Sequence, residues 1–220
     1  MDSSPDRLTP FQRALLDAFF ARERRWFLTG GAALAGFYFG HRATEDLDFF
    51  SPPGPPLEQA VGALQGAAAA VGATVTPLIS SLDFKRFDVR RGEESCPVDL
   101  VIDRAPAVDS DKPLRGAIRV DTLREIAANK LCTLLGRAEI RDLVDLKFLL
   151  GAGNDLQVAL ADAQSKDGGA DPATLAWLLR EMRISPEALL PGGVDPVELD
   201  AFRRDLATRL ETIAFERARK

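Results

Sequence analysis

The apolar positions along the chain change period near its middle. Phe11, Leu15, Ala18 and Phe19 recur at helical spacing behind Thr9-Pro10, a capping hydroxyl followed by a first-turn proline, and predict a helix ending in the charged run Arg22 to Arg25. A short apolar run, Trp26-Phe27-Leu28, reads as a buried strand, which Gly30-Gly31 breaks to open a helix through Ala32, Ala33 and Leu34. A strand is predicted over residues 46–50, stopped by Ser51-Pro52-Pro53-Gly54. A helix from Leu57 to about Ala70 follows Pro55-Pro56 and ends at Gly72. Residues 74–79 are rich in β-branched side chains. Residues 84–90 and 97–102 read as two more strands, joined through Gly92-Glu93-Glu94-Ser95 as a hairpin whose turn is a little longer than the tightest type.

The stretch from Pro106 to Gly116 reads as the exit from the sheet, and everything after it as helix. Thr122 and Glu125 have capping-box spacing ahead of a helix over 123–135, a second covers 140–150 and closes at Gly151, and two more follow Asp171-Pro172 and Asp195-Pro196. Trp177 and Met182 read as core. The pattern predicts an α+β fold: a small mixed β-sheet core flanked by helices over residues 1–105, and an all-helical C-terminal region over 106–220 that packs on it.

Composition narrows the partners. With 46 % apolar and 28 % charged residues, the chain has an ordinary globular make-up. A net charge of −5 argues against broad duplex-DNA binding over a basic face, while leaving room for a small basic patch. Cys96 and Cys132 form neither a disulfide framework nor a metal cluster, and read as thiols in a reducing cytosol. The N-terminus lacks the basic start and apolar core of a signal peptide, and no stretch of about twenty apolar residues exists, so a cytoplasmic protein with no membrane span is expected.

The candidate chemistry lies in the acids. Asp46 and Asp48 alternate in a strand and so project from one face, while Leu47 and Phe49 point into a core. Two carboxylates ~6 Å apart repel by ~3 kcal/mol at an effective dielectric of about 20, a strain that basic neighbours or divalent cations offset. Oxygen-only ligands suit Mg²⁺, with Mn²⁺ as the alternative. Asp99 sits in an otherwise apolar strand, where an unpaired acid is costly. If that strand neighbours the first, Asp99 joins the pair, and three carboxylates suit a metal-assisted phosphoryl transfer in which Asp99 draws the proton from the attacking hydroxyl. The plain alternative is three solvated acids on an exposed sheet face. Gly30-Gly31, ending a strand and opening a helix, offers free backbone amides to a phosphate. Lys130 and Arg137 lie two turns apart on one helix face, with Arg141 one turn further if the helix continued, and they form either a positive wall toward the triphosphate or a solvated basic face.

Together these residues resemble the polymerase-β-like nucleotidyltransferase superfamily, and within it the AbiEii-type nucleotidyltransferase toxins. The resemblance rests on Gly30-Gly31-Ala32-Ala33-Leu34, on the run from His41 to Phe50 (HRATEDLDFF), on Val98-Asp99-Leu100, and on two helical motifs, Glu125 to Leu131 and Arg141 to Leu146. It implies that Asp46, Asp48 and Asp99 are catalytic and bind Mg²⁺. It also implies that Gly30, Gly31, Arg42 and Thr44 lie at the nucleotide, that Lys130 reaches its phosphates, and that Arg141 and Asp142 line the site. The superfamily often carries Ser after the first glycine. Here that position is Gly31, which leaves only a backbone amide for the phosphate. The implied activity is Mg-dependent transfer of a nucleoside monophosphate from an NTP to an acceptor hydroxyl. The implied setting is a toxin–antitoxin pair, with tRNA or protein as acceptor and an antitoxin protein as partner. A small-molecule nucleotidyltransferase of the antibiotic-modifying kind and a catalytically silent nucleotide-binding module are the alternatives.

Overall fold

A computed structural model describes residues 6–219. The chain divides into two compact units. One runs up to Arg104 and takes back Ser110–Thr122, and the other comprises Ala105–Asp109 and the chain from Leu123 onward.

The first unit is a five-stranded sheet with helices on it. In chain order it holds α1 (Pro10–Phe20), β1 (Phe27–Thr29), α2 (Gly30–Ala33), β2 (Leu47–Ser51), α3 (Leu57–Ala70), β3 (Thr74–Ser80), β4 (Phe84–Arg91) and β5 (Glu94–Ile102). The strands lie in the order β1-β2-β5-β4-β3, with β2 and β5 parallel and the remaining pairs antiparallel. α1 is capped as its sequence predicts: Gln12 N donates to Thr9 Oγ1 at 3.1 Å, and Thr9 N donates to Gln12 Oε1 at 2.9 Å. Phe19 on α1 stacks on Phe49 of β2, centroids 4.2 Å apart, and Phe20 meets the same ring edge-on at 5.7 Å. Leu47, Phe49, Val98 and Leu100 are fully buried. Each such side chain stabilises the sheet–helix layer by about 1.5–3 kcal/mol, so it is these odd positions of β2 that fix which way the even ones point.

Three local expectations need correction. Asp46 stands one residue ahead of β2 rather than inside it. The hairpin turn is the tightest kind: Arg91 pairs with Glu94 across Gly92-Glu93, with Gly92 at φ 59°. The sheet is also not the last of the strands, because β6 (Leu114–Arg115) and β7 (Ile118–Arg119) form a small antiparallel ribbon in the returning segment. Leu28 bridges to Val120, and Asp121 N donates to Leu28 O at 2.8 Å, which docks that segment beside β1.

The second unit is helical: α4 (Leu123–Gly136), α5 (Ile140–Gly151), α6 (Leu156–Lys166), α7 (Pro172–Glu181) and α8 (Pro196–Ala218). Asp155, Asp171 and Asp195 each cap a following helix through their carboxylates. Glu125 accepts from the amides of Val108 and Asp109 and pairs with Lys166 at 2.5 Å, so the linker segment is tied to α4 and α6. Trp177, expected in the core, is 61 % exposed on α7, because the apolar stripe of that helix runs through Leu175, Ala176 and Leu179 instead. Among the described residues, no helix is long and apolar enough to cross a membrane.

Candidate active site

Strand register assembles the site. Thr29 lies opposite Asp48, Asp48 beside Asp99 and Asp99 opposite Arg86, giving one row across β1, β2, β5 and β4. Two residues further along β2, Phe27, Phe50, Val101 and Phe84 form an apolar row parallel to it. Asp48 and Phe50 are half-buried while Leu47, Phe49 and Ser51 are buried, so β2 turns its acid away from the core as the alternation predicts.

The glycine turn abuts this row. Gly30 has φ 63°, and a Cβ there would fall 2.5 Å from Asp48 Oδ2. Conformation and space therefore both demand glycine at this position. A Cβ on Gly31 would lie 2.7 Å from Arg42 Nη2 and 3.1 Å from Thr44 Oγ1, so the missing side chain is the room that Arg42 and Thr44 occupy. α2 runs on as a π-helical turn, Leu34–Tyr38, and the start of this helical segment points its first amides out of the turn.

The loop that carries Asp46 is braced from below. Thr44 Oγ1 donates to Asp46 Oδ1 at 2.8 Å, and Gln12 Nε2 donates to the carbonyls of Thr44 and Glu45 at 2.9 and 3.3 Å. Arg42 and Thr44 are buried, and Arg42 Nη1 donates to Ala43 O at 3.0 Å. His41 sits edge-on to the Phe39 ring.

Two polar residues in and beside the row, Arg86 and Asp121, are absent from the sequence reading. Arg86 forks onto Asp99, with Nε to Oδ1 at 2.7 Å and Nη2 to Oδ2 at 2.6 Å. Asp99 first, and Asp46 and Asp48 after it, hold the Arg86 guanidinium above its ordinary pKa. Asp121, fully buried, accepts from Thr29 Oγ1 at 2.6 Å and pairs with Lys112 at 2.8 Å, while Tyr38 Oη donates to its carbonyl at 2.6 Å. This cluster clamps both ends of the glycine turn. The Asp121–Thr29 contact spans 92 positions, beyond the reach of any local pattern. Arg86 was reachable through hairpin register, given the right turn length.

Lys130, Arg141 and Asp142 belong to the helical unit. Lys130 donates to Asp142 at 2.8 Å and pairs with Asp145 at 2.6 Å, and Arg137 Nε donates to Asp142 at 3.0 Å. Lys130, Asp142 and Asp145 are buried. Burial works to raise the Asp142 pKa, but Lys130 and Arg137 outweigh it and leave the carboxyl below its ordinary value. Arg141 pairs with Glu139 at 2.5 Å.

The acids on the sheet supply only oxygen donors, which is the chemistry of a hard divalent cation. Among the described residues, no group of three acids or other ligating side chains already stands at metal-binding spacing, and Asp99 is committed to Arg86.

Comparison with known proteins identifies the family and the fold. The family described as "Nucleotidyl transferase AbiEii toxin, Type IV TA system" matches residues 13–219. No curated protein matches the chain. Solved structures with the same fold include JHP933 from Helicobacter pylori, at 21 % identity and TM-score 0.62, covering 94 % of this chain and 91 % of that one. A second is a putative nucleotidyltransferase from H. pylori, at 21 % identity and TM-score 0.58, covering 91 % and 93 %. A third is MenT4, a nucleotidyltransferase toxin from Mycobacterium tuberculosis, at 15 % identity and TM-score 0.58, covering 91 % and 82 %.

Proposed function

The chain belongs to the AbiEii nucleotidyltransferase toxin family, and we propose that it moves a nucleoside monophosphate from an NTP to an acceptor hydroxyl in a reaction that needs Mg²⁺ or Mn²⁺. The observation that carries this reading is the row itself. Asp48 stands in register with Asp99 on a neighbouring parallel strand, and its carboxylate touches the space over Gly30 where a phosphate would come closest to the backbone.

Each residue then has a task. The first amides of the segment beginning at Gly30 seat the triphosphate, with the partial positive charge of a helix start behind them. Arg42 and Thr44 fill the volume beside Gly31, and Thr44 fixes one oxygen of Asp46. Asp46 and Asp48 hold the cation, and Asp99 completes the acidic row. A cation held there would supply positive charge to the phosphoryl oxygens and to the leaving pyrophosphate. The Asp121–Thr29–Tyr38 clamp keeps the glycine turn at a fixed height over Asp48.

The acceptor in this reading is an RNA such as tRNA, or a protein, and an antitoxin protein holds the activity in check. Expression in a bacterial host tests the role: growth arrest by the wild type that disappears with Asp46→Ala supports a toxin acting through this site. Equal arrest by both would detach toxicity from the acids. Labelling of an extract with NTPs then reports whether the labelled species is RNA, protein or a small molecule.

A further inference from the structure

Asp99 does not stand ready for a metal or a proton. Both of its oxygens accept from Arg86 in a planar fork, at 2.7 and 2.6 Å, and the acid is only 6 % exposed. The two residues are direct cross-strand partners on β4 and β5. Arg86 is about two-fifths exposed and its guanidinium lies 5.9 Å from the centre of the Phe84 ring, one step along the same face. Solvent at the Arg86 end screens part of the pair's own contribution to the fold, and its charge also reaches its neighbours. Its neighbours are Asp46 and Asp48. Both carboxylates act on the Arg86 guanidinium through their charge.

We propose that Arg86 is a resident cation that takes the place of a second divalent ion at Asp99, leaving Asp46 and Asp48 as the single metal site. This rests on the metal-assisted reading given above and deepens it. A guanidinium suits the task because its fork matches a carboxylate in two bonds and its charge survives at any physiological pH. It also changes the part played by Asp99. While the fork holds, that acid neither binds a cation nor accepts a proton from the acceptor hydroxyl. It positions a positive charge beside the metal site, and Arg86 is the positioning residue for that charge.

The test is a Mn²⁺ titration of the intact protein followed by electron paramagnetic resonance, on the wild type, Arg86→Gln, Arg86→Lys, Asp48→Asn and the double variant Arg86→Gln/Asp99→Asn. The wild type is expected to bind one ion, lost in Asp48→Asn. Arg86→Gln is expected to bind Mn²⁺ at least about tenfold more tightly and to take up a second ion, whose magnetic coupling to the first broadens the spectrum. Arg86→Lys keeps the charge and stays close to the wild type, and the double variant returns to one ion. Arg86→Met replaces the glutamine variant if the latter does not fold. Binding by Arg86→Gln equal to or weaker than wild type overturns the proposal while leaving the metal site at Asp46 and Asp48 intact. Failure of the folded wild type and Arg86→Gln alike to bind Mn²⁺ overturns the metal reading and the proposal with it.

Discussion

Two clusters of charge distinguish the two units. On the sheet, Asp46 and Asp48 are half-buried, Asp99 is buried, and Arg86 is the cation forked onto the last of these. In the helices, Lys130 and Arg137 meet Asp142 and Asp145, with the lysine and both acids buried, and Arg137 and Arg141 both reach Glu139. This cluster sets charge against charge within the helical unit. Such a network holds elements in place, and removing one member strands a buried charge. The acid row on the sheet instead stands half-exposed against the glycine turn, with Asp48 under Gly30. The number of charges is similar. What separates the two is their setting, one sealed among packed helices and the other half-exposed beside a turn with room over it.

Breaking each cluster in turn sharpens the contrast. Asp48→Ala is expected to lower nucleotidyl transfer by about 10³-fold with a melting temperature close to wild type, because the residue is half-buried and carries no packing. A matching loss of stability would make it a structural residue instead. Gly30→Ala is expected to reduce transfer about a hundredfold. It forces a left-handed φ on a residue with a Cβ, at about 1–2 kcal/mol, and pushes Asp48 out of line. Transfer at the wild-type rate would show that the close approach to Asp48 is unimportant. Lys130→Met acts the opposite way. It removes the cation that Asp142 and Asp145 share, leaving Arg137 to Asp142 alone, and is expected to cost about 3–5 kcal/mol, read in a urea titration.

The smallest effect concerns pH. Asp142 has a folded pKa below its ordinary value, so it stabilises the fold fully above the unfolded carboxylate pKa, about 4, and that contribution is lost as the pH falls through the folded value. Urea midpoints measured from pH 7 down to pH 3 should fall more steeply in the wild type than in Asp142→Asn. Parallel curves would remove Asp142 from the acid response.

What the sequence made legible follows the range of each interaction. The Asp-x-Asp alternation, the glycine pair and the odd acid in an apolar strand are local patterns, and the structure brings all three to one face. Register is not local. A turn over Gly92–Ser95 would start the ladder from Arg91 and Cys96 and set Asp88 opposite Asp99, acid against acid. The two-residue turn starts it from Arg91 and Glu94, and five steps later Arg86 faces Asp99. One misjudged turn therefore hid the most consequential cation in the row. Asp121 was hidden for a different reason: its partners Thr29 and Tyr38 come from the far end of the unit, and nothing near position 121 announces them.

The central claim is transfer of the nucleotidyl group at the acid row, and the position of the label decides it. Each of the four NTPs, carrying ³²P at the α or the γ position, is incubated with Mg²⁺, a bacterial extract as acceptor source, and the wild type or Asp48→Ala. The account predicts that α-label enters a macromolecular acceptor and γ-label leaves as pyrophosphate, with the wild type alone. Transfer of the γ-label, or α-label incorporation undiminished in Asp48→Ala, would contradict it.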